Sequence, residues 1–313
     1  MEISILLAEQ ILAMFLTMAV GFGVVRAGLF KTEDSRIISN MVVYICNPCV
    51  VVHSFQIELT DDKIKGLMIA IGLSVVVHMV LIIGSEILSF IFHFNSIEKA
   101  SIIYTNAGYL VIPLVGAVLG EEWVFYTTAF ILVQTVLMWT HGVKLIGQEK
   151  ELNIRKILCN PNVIAMIIGI ALFALEIRLP TVVDSCVSGF GDMISPASMM
   201  VIGMVIGDVD LKWVFRQKRP YLICLLRLIV FPLIAVVAFA GLERSGIHPD
   251  AEYILMIVLI ATSAPAAAMI TQLAQIYGKD SRYASVINVM SVIFCIITMP
   301  VMVLSYEMLI ALQ

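Results

Sequence analysis

Two stretches of the sequence set a proline among small and polar residues inside long apolar segments. They read TNAGYLVIP at residues 105–113 and SAPAAA at residues 263–268. Proline interrupts a membrane helix, and small side chains let two interrupted helices approach closely. We therefore expect two broken helices that cross, with half-helix N-termini that present free N–H groups suited to an anion.

The composition is that of a membrane protein. Of the 313 residues, 61% are hydrophobic and 13% are charged, against about 45 to 50% and about 25% in soluble domains. The apolar runs are continuous, which excludes an outer-membrane barrel, a disordered chain and a disulfide scaffold. A net charge of -4 offers no basic surface for nucleic acid. The class is an all-α integral membrane protein.

Ten apolar segments predict ten transmembrane helices. They cover residues 5–25, 37–57, 67–92, 99–118, 123–146, 160–176, 181–206, 220–241, 253–277 and 283–309. The connections are short, so one membrane transport domain is expected to occupy residues 1–313. Glu2 and Glu9 replace a basic leader, which predicts that the first segment is an uncleaved span.

Basic residues predict the orientation. The odd-numbered connections hold fourteen of the 19 basic residues and the even-numbered ones hold four. By the positive-inside rule the odd-numbered connections face the cytoplasm, so both termini of a multi-pass cell (inner) membrane protein lie outside. The fourteen are Arg26, Lys31, Arg36, Lys99, Lys144, Lys150, Arg155, Lys156, Lys212, Arg216, Lys218, Arg219, Lys279 and Arg282.

The prolines indicate an internal repeat. Pro48 and Pro196, in spans two and seven, are 148 residues apart, and Pro113 and Pro265, in spans four and nine, are 152 apart. An odd number of spans in each half inverts the second half relative to the first. We expect a five-plus-five inverted repeat, over approximately 1–150 and 155–313, in which broken helices four and nine cross.

Small hydrogen-bonding residues precede two of these prolines. Asn47-Pro48 is matched by Ser195-Pro196, and such pairs can unwind a helix and re-satisfy its freed backbone groups. The alternative is that these prolines are ordinary kinks with no part in ligand binding.

An ionisable residue inside a membrane span has a high free-energy cost, so we expect it to have a function or to be paired with another group. Arg227 is the sole basic residue well inside a span; it either attracts an anion or ties spans together. Asp192 and Glu86 are candidates to carry a coupling ion, a proton or sodium. Spans four and nine contain no acidic residue, which argues against cation exchange as the main task.

Enzymatic signatures are missing from the sequence. His53, His78 and His141 lack metal-ligand spacing, and no nucleotide-binding glycine loop or catalytic serine motif occurs. The sequence therefore predicts no catalytic residue, no metal and no cofactor apart from the coupling ion.

The chain resembles the auxin efflux carrier family, whose bacterial members include proteins described as malonate or malate transporters. The resemblance covers the whole chain and is strongest at 105–120, at 134–143, at Asn160-Pro161 and at 263–280. It implies a ten-span fold like that of sodium/proton antiporters or bile-acid transporters, with a scaffold part, a transport part and elevator-like movement.

The resemblance also implies where the substrate binds. It places Asn106 and Pro113 at the site in span four and Pro265 at the crossover in span nine. The small and polar residues near the four prolines add Asn47, Gly108, Ser195 and Gln272 to the expected substrate-binding residues. Val111 stands where many relatives have glycine, and 266–269 lacks a frequent asparagine. The long loop of plant exporters between spans five and six is absent, which points to a short prokaryotic-type member and away from auxin.

Three functions follow as hypotheses. The first is a secondary transporter of a small organic anion, a mono- or dicarboxylate, with Asn106 donating to a carboxylate. The second is a cation/proton antiporter of the same fold. The third is a membrane receptor that binds a small molecule without moving it. The expected partners are the anion and the lipid bilayer, and a homodimer is left open.

Overall fold

The computed structural model describes residues 2–147 and 158–312, and these fold into helices joined by short connections. In chain order the helices are α1 (Glu2–Arg26), α2 (Thr32–Ser54), α3 (Asp61–Phe92), α4 (Ser96–Ile103), α5 (Ala107–Val118), α6 (Glu121–Gly147), α7 (Pro161–Ala174), α8 (Thr181–Gly207), α9 (Leu211–Arg216), α10 (Arg219–Glu243), α11 (Ala251–Ser263), α12 (Met269–Ile276) and α13 (Ser281–Ala311). Lys150, Arg155 and Lys156 of the predicted cytoplasmic connection lie outside the described residues.

Seven helices of the described residues are long and apolar enough to cross a membrane: α1, α2, α3, α6, α8, α10 and α13. Each falls on one predicted span. The predicted spans four, six and nine fall on shorter helices, with span four divided between α4 and α5 and span nine between α11 and α12. The chain is thus a helical, multi-pass membrane protein.

Three of the prolines follow a wide turn of π type. Pro48 follows such a turn at 42–46, Pro113 one at 107–111 and Pro232 one at 226–230. Proline has no N–H to donate and its ring clashes with the preceding turn, and a wider turn relieves both problems while the helix continues. These prolines therefore widen their helices without ending them.

The helices pack in two groups. In the first, α1 lies along α8, and α2 packs against both α7 and α8. In the second, α3 packs against α4, α6 and α11, while α13 packs against α10, α11 and α12. The groups meet where α1 contacts α5 and α13, and where α8 contacts the first turn of α5.

Glycines permit the close approach of α1 and α8. A Cβ atom on Gly203 would overlap the carbonyl oxygen of Met18, and one on Gly21 would overlap the carbonyl oxygen of Met200. The backbones of the two helices are therefore in direct contact, as small residues at helix interfaces in membranes allow.

We expect Gly203→Ala to destabilise the protein by about 1 to 3 kcal/mol, because the added methyl group forces two backbones apart. Thermal unfolding in detergent measures the change. Gly23→Ala is the matched control on α1, since a Cβ there meets no atom within 4 Å, and its melting temperature should stay level or rise. Equal losses in the two variants would contradict the close contact.

Candidate functional site

The interruptions of spans four and nine contact each other. α4 ends at Ile103 and α11 ends at Ser263, and the backbone then runs extended at Tyr104 and Ala264. Between them Thr105 and Ala266 form an antiparallel bridge. This crossing of residues 104–106 with residues 264–268 is called the crossover below.

Two backbone hydrogen bonds flank this bridge. Asn106 N donates to Pro265 O at 2.8 Å, and Ala267 N donates to Tyr104 O at 3.0 Å. Pro265 thus lies in the break of span nine. The break of span four lies at 104–106, so the expectation that Pro113 marks the crossover is wrong: the wide turn at 107–111 accommodates this proline within α5.

The side chain of Gln134 on α6 forms hydrogen bonds with Thr105 at the break of span four. Its Oε1 accepts from Thr105 N at 2.8 Å and from Thr105 Oγ1 at 2.9 Å, and its Nε2 donates to Thr105 O at 2.9 Å. One amide therefore satisfies both backbone groups that the interruption leaves open, which the apolar surroundings require.

Two residues of α13 hold the second break in the corresponding way. Asn288 Nδ2 donates to Ala266 O at 2.7 Å, and Ala266 N donates to Ser291 Oγ at 3.1 Å. Sequence reasoning missed these residues and Gln134. The available signal was a polar side chain in the apolar span that follows each broken span.

Arg227 lies beneath the crossover and is fully buried. Its Nε donates to Ala264 O at 3.1 Å, and its Nη1 donates to Ile102 O at 3.0 Å. These carbonyls lie at the C-terminal ends of α11 and α4, where helix dipoles are negative. The contacts are those of a residue that ties spans together.

Unpaired polar atoms collect at the start of α5. Asn106 is 4% exposed, and its Nδ2 has no hydrogen-bond partner among the described residues. It stands at the N-cap of α5, yet its side chain makes no capping bond, although asparagine there commonly accepts from the first turn. The amide and the first-turn N–H groups are therefore free to meet a ligand.

Asn47 reaches this region from α2. A Cβ on Gly108 would lie 3.2 Å from Asn47 Nδ2, so the glycine allows the two helices to meet. Asn47 Oδ1 is also buried without a partner among the described residues. The structure thus brings Asn47 and Gly108 together, one on each helix group, beside Asn106.

Pro113, Asp192 and Ser195 line a different feature, a cavity of about 200 Å³ between the two helix groups. Glu121 and His53 line it as well, so carboxylates contribute to its walls. Asp192 is exposed there, and Ser195 is half-buried. The cavity is more acidic than the surroundings of Asn106.

Two of the predicted site residues lie elsewhere. Glu86 forms an ion pair with Lys99 at 2.6 Å, which gives this acid a structural partner. Gln272 is exposed on α12 and has no hydrogen bond to the crossover, because Ile270, Leu273 and Ala274 form the buried side of that helix. The structure therefore does not bring Gln272 to the crossover, and its part in substrate binding stays a prediction.

We expect Gln134→Ala to lower the melting temperature, because each buried polar group left unpaired at Thr105 costs about 1 to 3 kcal/mol. Gln275→Ala serves as the control, since Gln275 is exposed on α12. Thermal unfolding in detergent compares the two variants. If they lose stability equally, the hydrogen bonds of Gln134 do not hold the break.

The comparisons with known proteins agree with a transporter. The sequence model of a family described as membrane transport protein matches residues 6–154 and 149–303. No curated protein matches the chain. Since the matched residues cover nearly the whole chain, this protein belongs to the membrane transport protein family of auxin efflux carriers.

Proposed function

We propose that this protein is a secondary transporter of a small organic anion, a mono- or dicarboxylate. The observation that carries the proposal is the unpaired, buried amide of Asn106 at the N-terminus of α5. A buried donor without a partner is costly, and a carboxylate would accept from it and from the adjacent N–H groups. The family supports transport as the task.

The proposed fold is the ten-span inverted repeat. Its support is the correspondence between the halves: an amide from span five binds Thr105, and an amide and a hydroxyl from span ten bind Ala266. The distribution of basic residues supports an orientation in the cell membrane with both termini outside.

The proposed mechanism is elevator-like alternating access. The group of α3–α6 and α10–α13 contains the crossover and would be the moving part, and the group of α1, α2, α7 and α8 would be the scaffold. The contact of Asn47 with Gly108 and the cavity of about 200 Å³ both lie at the boundary of these groups, where substrate must enter and leave.

A cation/proton antiporter is the second candidate. The observation in its favour is the cavity that Asp192, Glu121 and His53 line, since carboxylates in a cavity of a membrane protein can relay protons. The crossover itself argues for the anion, because its unpaired side-chain atom at Asn106 is a donor.

Flux into proteoliposomes tests the two candidates. We expect uptake of at least one labelled carboxylate from a panel that includes malonate and malate, with the rate responding to an imposed proton or sodium gradient if transport is coupled. Proton or sodium exchange without carboxylate flux would favour the antiporter. Saturable carboxylate binding without flux would indicate a receptor.

Asn106→Ala should weaken carboxylate binding by about 10- to 150-fold, corresponding to about 1.5 to 3 kcal/mol for a hydrogen bond to a charged group. Thermal stability should stay level or rise, because the amide Nδ2 has no partner among the described residues. Asn40→Ala, at an exposed position of α2, should change neither quantity. Unchanged affinity in a stable Asn106→Ala protein would remove this residue from the site.

A further inference from the structure

The carbonyl ends of two half-helices converge on one guanidinium. α4 and α11 both end at the crossover, and the last carbonyls of a helix lack partners within that helix. Both ends carry the negative pole of a helix dipole. A positive group between two such poles is stabilised by both dipoles.

In transporters with broken helices, these carbonyl ends commonly coordinate the coupling cation. Here Arg227 reaches one carbonyl from each half-helix, Ala264 O and Ile102 O, at 3.1 and 3.0 Å. The side chain is fully buried, and a guanidinium is charged at neutral pH. A fixed cation therefore lies at carbonyls of the kind that bind a mobile cation in such transporters.

The charge of Arg227 is not neutralised by an acidic side chain. The ion pairs among the described residues join Lys99 to Glu86, Arg219 to Glu98 and His53 to Asp184, and Arg227 takes part in none of them. The two carbonyl dipoles offset only part of its charge, and its Nη2 has no hydrogen-bond partner among the described residues, so a positive potential remains at the crossover for a bound anion to offset.

We propose that Arg227 is a built-in substitute for the coupling cation, so that the crossover binds its anion without binding sodium. This inference rests on the proposed function and deepens it: Arg227 is a positioning residue that holds α4 and α11 in register and sets the site's preference for anions over cations. Its fully buried side chain acts on the site through the carbonyl ends of α4 and α11. Any coupling proton would then bind elsewhere.

The test uses the purified full chain in detergent, with radiolabelled malonate as the probe. Wild-type binding should be the same in sodium chloride and in choline chloride at equal ionic strength. Arg227→Ala should bind malonate at least about 10-fold more weakly, the loss expected when a buried charged hydrogen-bonding group is removed. Millimolar guanidinium should restore part of the affinity, because it can enter the space the side chain leaves.

Arg244→Ala is the matched control. Arg244 lies at the end of the same helix, α10, but is exposed, so its loss should change neither affinity nor the response to guanidinium. Arg227→Lys keeps the charge but not the planar fork, so it should bind more weakly than wild type and more tightly than Arg227→Ala.

Two results would overturn the proposal. One is wild-type malonate binding that rises saturably with sodium. The other is a folded Arg227→Ala protein that binds malonate as the wild type does. If Arg227→Ala does not fold, the wild-type sodium comparison and Arg227→Lys still decide the question.

Failure of the proposed function gives a different pattern. In that case the wild type binds no carboxylate of the panel, and thermal unfolding becomes the readout. Millimolar guanidinium should then raise the melting temperature of Arg227→Ala while leaving wild type and Arg244→Ala unchanged. No such rise, or a rise of equal size in all three proteins, would refute a cation site at the carbonyl ends.

Discussion

The structure depends on one constraint, which is that backbone groups freed by a helix break must find partners where lipid offers none. The breaks at 104–106 and 264–268 satisfy each other through an antiparallel pair of hydrogen bonds. Gln134, Asn288 and Ser291 then complete the pairing from neighbouring helices. Each break is therefore stable only in the presence of the other, and this requirement fixes how α4, α5, α11 and α12 are arranged.

The same constraint gives the carbonyl ends and the N–H ends of the broken helices different partners. Their carbonyl ends are occupied by Arg227, whereas the start of α5 keeps an unpaired amide at Asn106. A crossing in which both poles were satisfied internally would be a structural feature and no more. The start of α5 thus keeps a buried donor without a partner among the described residues, and the proposed anion site rests on this donor.

The sequence predicted the helical membrane class and the positions of the seven long helices, because hydropathy is summed over about twenty residues and tolerates local error. It misplaced the break of span four at Pro113, which lies in α5 behind a wide turn. A proline in the sequence predicts that one helical hydrogen bond is missing, but it does not predict whether the helix widens or ends. The helix ends before Thr105 because Gln134 and Pro265, which lie far along the chain, provide hydrogen-bond acceptors for the backbone N–H groups of the break.

A site residue could be predicted from the sequence when its role depends on its neighbours in the sequence. Asn106 and Pro265 were predicted because the break itself needs residues of their kind, and the structure places both at the crossover, while their contact with substrate stays a prediction. Gln272 was assigned from its sequence neighbourhood alone, and the helical period turns it outward.

Asn47 and Gly108 meet across the boundary of the two helix groups. If one group slides past the other, this contact must break, whereas the bonds of Gln134 and Arg227 lie within one group and can persist. In the proposed elevator movement, the crossover would therefore move as a preformed unit together with Arg227.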